Sequence, residues 1–507
     1  MVTKIVLLIL FFASMVAVGL YARKHSTSVD GFVLGGRSAG PWLTAFAYGT
    51  SYFSAVVFVG YAGQFGWRFG IASTWIGIGN ALIGSLLAWV VLGRRTRIIT
   101  QHIDARTMPE FFGKRFDSKS LKIAASIIIF VFLIPYTASI YNGLSRLFSM
   151  AFDIPYLWCV IAMAVFTGLY VVLGGYMATA INDFIQGIVM LFGIVAVIAS
   201  VLMGQGGFTE AVKSLAEIPS DVAVTAGQEG AFTSFFGTDP FSLLGVIILT
   251  SLGTWGLPQM IGKFYSIKDE KSINTGTVIS TLFAIVVAGG SYFLGGFGRL
   301  FDDPSLYSDS GEIVYDSIIP FMLSGLSDIL VGIVVVLVLS ASMSTLSSLV
   351  LTSSSTLTLD LIKDNFIKNM DEKKQILTIR IFIVVFIAIS VVIALDPPAF
   401  IAQLMGISWG ALAGAFLAPL LYGLYWKKVT KLAVWTSFVW GVGFTSFNML
   451  VPITSSINAG AIAMLTSLII VPIVSLITPK FSKEKADSIF SCLDEKVLIA
   501  KRHSLED

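Results

Sequence analysis

Thirteen apolar runs, each about as long as one membrane-crossing helix and separated by short polar breaks, constrain this chain more than any other feature. A bilayer's hydrocarbon core takes about 20 apolar residues of helix. The runs lie near 3–22, 40–65, 70–93, 121–150, 153–173, 181–204, 237–259, 272–297, 327–358, 376–396, 398–425, 431–450 and 460–477. The expected fold class is therefore all-α: a polytopic membrane protein of about 13 transmembrane helices. The first run follows Lys4 and has a signal peptide's small residues, but it is a full span long and leads into more spans, so it reads as retained.

Composition agrees. The chain is 56% hydrophobic and 12% charged, against roughly 45–50% and 25% in soluble proteins. Its 33 Lys+Arg nearly balance 30 Asp+Glu, which leaves no basic excess for nucleic acid. Cys159 and Cys492 are far apart, and His25, His102 and His503 sit in polar stretches without ligand-like partners, so a disulfide framework, structural zinc and haem attachment are not expected.

Bases collect in alternate loops: Arg23, Lys24 and Arg37; Arg94 to Lys119; Lys263, Lys268 and Lys271; Lys363 to Lys374; Lys427, Lys428 and Lys431; and Lys480 to Arg502. The opposite loops hold scattered bases, and the one around 300–316 is acidic. By the positive-inside rule the N-terminus is outside and the C-terminus cytoplasmic. Residues 1–480 read as one transmembrane domain and 481–507 as a short cytoplasmic tail. The loop at 298–326 contains an amphipathic stretch, 312–322, too short to cross. The segment 104–120 is expected to start a short helix at Pro109.

Three features carry chemistry. On a helix Ala341, Ser344, Thr345 and Ser348 share one face, with Ser347 beside it. Such a hydroxyl stripe either lets helices pack closely or offers several oxygens to a hard cation. Asp183 opens an apolar run after Gly174-Gly175, as a helix cap or as an acid on an ion path. Two runs look interrupted, at Ala47-Tyr-Gly-Thr-Ser-Tyr-Phe-Ser54 and at Gly253-Thr-Trp-Gly-Leu-Pro258, and breaks in spans five apart suggest an inverted repeat around a central site. Gly256-Leu-Pro-Gln-Met-Ile-Gly262-Lys263 has one residue too many between its glycines for a phosphate loop, and Phe264 where Ser or Thr is needed, so no nucleotide is expected. Nothing suggests an enzyme: there is no catalytic triad and no paired carboxylate at membrane depth.

Phe32-Val-Leu-Gly-Gly-Arg-Ser, Gly174-Gly-Tyr-Met-Ala with Asn182-Asp183-Phe-Ile-Gln186-Gly187, Ala341-Ser-Met-Ser-Thr-Leu-Ser-Ser348 and Gly423-Leu-Tyr-Trp426 together resemble the sodium:solute symporter family. The resemblance implies a LeuT-type five-plus-five inverted repeat over about 40–425, in a multi-pass protein of a bacterial cell membrane. It implies a primary sodium site from the carbonyls of Thr50, Phe53 and Ala341 and the hydroxyls of Ser344 and Thr345. A second sodium, as in some relatives, would use Asp183, Ser344, Ser347 and Ser348. The implied substrate residues are Tyr52, Ser54, Tyr136, Thr254, Trp255, Gln259 and Trp409. Proline transporters carry an aspartate where this chain has Tyr52, and an aromatic pair where it has Thr250 and Thr254, which argues against proline.

The implied function is sodium-coupled symport of a small polar organic solute, carboxylate or amino-acid-like. Sodium is then the coupling ion and the bilayer the medium, with no organic cofactor and no nucleic acid. Two alternatives stand beside it: a proton-coupled carrier of the same fold, with Asp183 titrating, and a non-transporting membrane sensor.

Overall fold

Lipid offers no hydrogen bonds to backbone groups, so each apolar run must satisfy its own as a helix. The computed structural model describes residues 2–23, 27–152, 154–367, 370–396, 400–479 and 482–494, and among these there is no β-strand, only the bridges Ala39 to Ile267 and Tyr307 to Ile313. In chain order the long elements are α1 (Val2–Ala22), α2 (Pro41–Tyr52), α3 (Val56–His102), α4 (Lys119–Phe152), α5 (Tyr156–Gly204), α6 (Pro240–Leu252) and α7 (Pro258–Tyr265). They continue with α8 (Glu270–Gly295), α9 (Asp328–Asn365), α10 (Glu372–Leu395), α11 (Ile401–Tyr425), α12 (Lys431–Leu450) and α13 (Ser456–Ile477). Short helices stand at Met108–Arg115, capped by the Thr107 side chain, and at Tyr315–Ser324, as the loop sequences predict. Of the expected tail, Lys483–Asp494 is helical; 495–507, like Lys24 and His25, lie outside the described residues.

Among the described residues nine stretches are long and apolar enough to cross a membrane, or ten if α6 and α7 form one bent span, against thirteen runs in the sequence. Part of the difference is geometric. α3 and α5 have 47 and 49 residues; at 1.5 Å per residue each is ~70 Å long, more than twice the hydrocarbon thickness. Each is broken at a glycine, Gly70 (φ 62°, ψ −145°) and Gly175 (φ 55°, ψ −148°). A Cβ would stand 2.0 Å from the Phe232 carbonyl oxygen at the first and 2.6 Å from that of Phe32 at the second, so both the turn and the space exclude a side chain. α12 is 20 residues long, but its Trp, Thr, Ser and Asn residues lower its hydropathy.

The structure corrects two expectations, the first through the Gly175 break. The helix restarts at about residue 176 rather than 181, so Asp183 is two turns inside it and is not an N-cap. Lys263, read as a base of the seventh loop, lies within α7, and its side chain is 3% exposed.

α11 and α9 are central: 89% and 78% of their apolar windows are buried, against 22% for α1 and 33% for α10, which lie at the periphery. On the side where bases collect, arginines cover helix ends. Arg115 donates to the Gly423 and Trp426 carbonyls (2.9 and 3.0 Å), Arg95 to Leu424 (3.0 Å), and Arg37 to Tyr265 and Ala105 (3.1 and 2.7 Å). The last carbonyls of a helix lack intrahelical donors, and these side chains supply them. On the other side the buried Asp316 carboxylate accepts from the Ile401 N–H at the start of α11 (3.3 Å).

Candidate functional site

α2 stops at Tyr52 because Phe53 is extended (φ −100°, ψ 129°), and helical structure resumes at Ala55 and Val56. Two N–H groups freed by this break find hydroxyls: Ala55 donates to Ser342 Oγ (3.3 Å) and Val56 to Ser54 Oγ (3.2 Å). The freed carbonyls of Thr50 and Phe53 point instead at α9. Ser344 Oγ lies 3.0 Å from the Thr50 oxygen and 3.0 Å from that of Ala341. Thr345 Oγ1 lies 3.4, 3.2 and 3.1 Å from the oxygens of Thr50, Phe53 and Ala341.

The structure thus brings the five expected primary-site oxygens together, all in residues at most 1% exposed. Two hydroxyls have two protons to offer across five close oxygen pairs, so lone pairs face one another in excess. Separations of 3.0–3.4 Å are the edges of an octahedral shell of radius ~2.1–2.4 Å, the range of hard-cation to oxygen distances. A monovalent cation fits this set, which carries no net charge to neutralise it twice over.

Of the residues expected around a second ion, Asp183 and Ser348 are linked through a residue not expected there, Lys263. Lys263 Nζ donates to Ser348 Oγ (2.9 Å) and stands 3.5 Å from Asp183 Oδ2. Ser348 Oγ is 3.0 Å from Ser51 Oγ, while Ser347 Oγ donates to the Ser344 carbonyl within its own helix (2.8 Å). Sequence reasoning missed Lys263. The signal available was its spacing of four from Gln259 on a short helix begun by Pro258, which puts both on one face.

The substrate candidates divide. Tyr52, Tyr136 and Trp409 form an aromatic cluster, with Trp409 edge-on to both tyrosines at 6.2 and 5.8 Å between centroids. Tyr52 Oη donates to the Thr250 carbonyl (2.6 Å), which ties α2 to α6. Tyr136 Oη and Trp409 Nε1 are buried, and the Tyr136 hydroxyl faces the Trp409 and Ser54 side chains, so this cluster sets polar atoms inside an apolar wall. Thr254 donates to the Ser251 carbonyl (2.9 Å), and Trp255 Nε1 to that of Ile83 on α3 (3.0 Å). Ser54 is taken up by the α2 break. Gln259, its amide without a hydrogen-bond partner among the described residues, lines an inner cavity with Tyr176, Lys263 and Ser348.

The interruption of α2, and the 3-10 turn and 46° bend between α6 and α7, belong to an architecture found in solved transporters. A sodium-coupled sialic acid symporter in a substrate-bound outward-open state superposes with TM-score 0.71 at 15% identity, over 94% of this chain and 99% of that one. A nucleobase-cation-symport-1 family transporter gives 0.52 at 15% identity, over 90% and 97%. The fold is the LeuT type. In sequence, the osmoregulated proline transporter OpuE of Bacillus subtilis is 27% identical over 97% of this chain and 98% of its own length. Sodium/proline symporter 2 of Staphylococcus saprophyticus is 29% identical over 86% and 84%. The family model extends over residues 32–441, from the segment preceding α2 into α12, and by that match this chain belongs to the sodium:solute symporter family.

Proposed function

We propose that this protein carries a small polar organic solute, carboxylate or amino-acid-like, into the cell together with sodium, by alternating access. The observation that carries the proposal is the oxygen cluster of Thr50, Phe53, Ala341, Ser344 and Thr345, built across the α2 break and α9. Sodium there joins two helices that no covalent segment fixes at that height, and the same break places Tyr52 in the aromatic cluster. Ion and solute therefore each raise the other's affinity, because both favour the arrangement in which the break is ordered. A membrane potential adds about 2.3 kcal/mol per charge per 100 mV to the drive.

The proline transporters among the relatives support an amino-acid-sized solute. Tyr52 fills, with a bulky hydroxyl already bonded to Thr250, the place where proline transporters carry an acid, and Thr250 and Thr254 stand where those carry aromatics. These differences argue for a solute other than proline.

The test is uptake by purified protein in liposomes, with a panel of labelled amino acids and short carboxylates, in sodium or in choline at fixed pH. Sodium-dependent accumulation of one class is expected. Ser344→Ala with Thr345→Ala removes both side-chain ligands and should raise the half-saturating sodium concentration severalfold or abolish uptake. Unchanged sodium dependence in a well-expressed double variant would overturn the site, and uptake driven by a pH gradient without sodium would overturn the coupling.

A further inference from the structure

We infer that the Lys263 ammonium is a tethered cation standing where a second coupling ion would sit, so that this chain carries one sodium per solute. The inference rests on the sodium-symport reading above and adds the ion count.

Lys263 projects from α7, the short inner limb of the bent α6–α7 pair, to a place where three other helices converge. Asp183 comes from α5, Ser348 from α9 and Ser51 from α2. Nζ donates to Ser348 Oγ at 2.9 Å and faces Asp183 Oδ2 at 3.5 Å, with the two charged side chains 3% and 0% exposed. The Tyr176 ring lies 5.4 Å from Nζ, its face offering the ammonium a further favourable contact. Apart from Lys263, no partner is found for either Asp183 oxygen among the described residues, so the ammonium is the group that answers this carboxylate's charge.

A sodium ion at Asp183 and Ser348 would meet that ammonium a few ångströms away in a poorly solvated place, and like charges there repel strongly. The carboxylate's single charge is already balanced. Of the three serines expected around a second ion, Ser344 belongs to the primary cluster and Ser348 accepts from Lys263, which leaves Ser347 alone of the three with its lone pairs to offer. A lysine differs from a diffusible ion in one respect: it stays on α7 when the cycle turns. It can tie α7 to α5 and α9, but it cannot leave with the solute, and it adds nothing to the transported charge.

The test counts radiolabelled sodium bound at saturation by the full-length protein in nanodiscs, with sodium as the only ligand. One ion per wild-type chain is expected. Two would overturn the inference and leave the symport reading standing, whereas none would overturn the primary site itself. Lys263→Ala vacates the space and frees Asp183, so bound sodium should double to two per chain. Lys263→Gln, which keeps the bulk without the charge, is the second variant should the alanine form fail to fold. In Lys263→Ala with Asp183→Asn the count should return to one. A Lys263→Ala chain that folds and still binds one ion would overturn the assignment of Lys263 to that place.

Discussion

Asp183 and Lys263 form an ion pair 3.5 Å apart with both side chains almost fully buried among the helices. Removing one partner of a buried ion pair costs about 3–5 kcal/mol, because the other charge stays behind unanswered. Asp183→Asn is therefore expected to lower the apparent Tm in detergent by several degrees. Combining it with Lys263→Met should recover most of that loss, and a double variant as unstable as the sum of the singles would show that the two do not act as a pair. The hydroxyl stripe of α9 was legible at this scale, since Ser344 and Thr345 follow Ala341 by three and four and a helix must stack them, whereas the Thr50 and Phe53 carbonyls entered only through the family resemblance. Lys263 was not legible. A lysine near the end of an apolar run reads as a loop base, and only the bend before Pro258 turns α7 so that its lysine points inward. The cap alternative for Asp183 failed for a related reason: the Gly174-Gly175 pair was visible, but nothing in the pattern said that helix resumes at once after Gly175.

At the scale of elements, breaks and close approaches are what the sequence spells most and least clearly. The interruptions in α2 and between α6 and α7 could be read from Gly, Ser and Pro inside apolar runs, because those residues weaken the ladder that lipid otherwise enforces. Which helices touch backbone to backbone could not, since a small residue permits contact without naming the partner. Gly66 of α3 faces Gly295 at the end of α8 so closely that a Cβ would lie 2.0 Å from the Gly295 carbonyl. Gly66→Ala must push the two apart, and overpacking of this kind costs about 1–3 kcal/mol. A lowered Tm and weaker sodium-dependent uptake are expected, against a Gly443→Ala control on α12, where a Cβ meets nothing within 4 Å. Equal behaviour of the two variants would refute the contact.

For the whole molecule, the family and the all-helical class were open to sequence reasoning because motifs and hydropathy are long-range statistics, whereas a solute is chosen by a few side chains that no long-range pattern reveals. Orientation rests on where bases gather, and the prediction is direct. In a chain with Cys159→Ser and Cys492→Ser, Ser310→Cys on the exposed 308–312 turn should react with a membrane-impermeant maleimide added outside intact cells. Glu484→Cys should react only after the membrane is opened, and the reverse pattern would invert the topology. The primary oxygen cluster has a consequence at this scale too. Its oxygens are divided between α2 and α9, three from backbone and two from hydroxyls, so neither rod holds a site alone. An ångström of sliding between them spoils the shell from one side while leaving the other intact. Under the proposed sodium site, affinity for the ion becomes a gauge of the gap between two helices, and a salt titration measures from outside a distance inside the membrane.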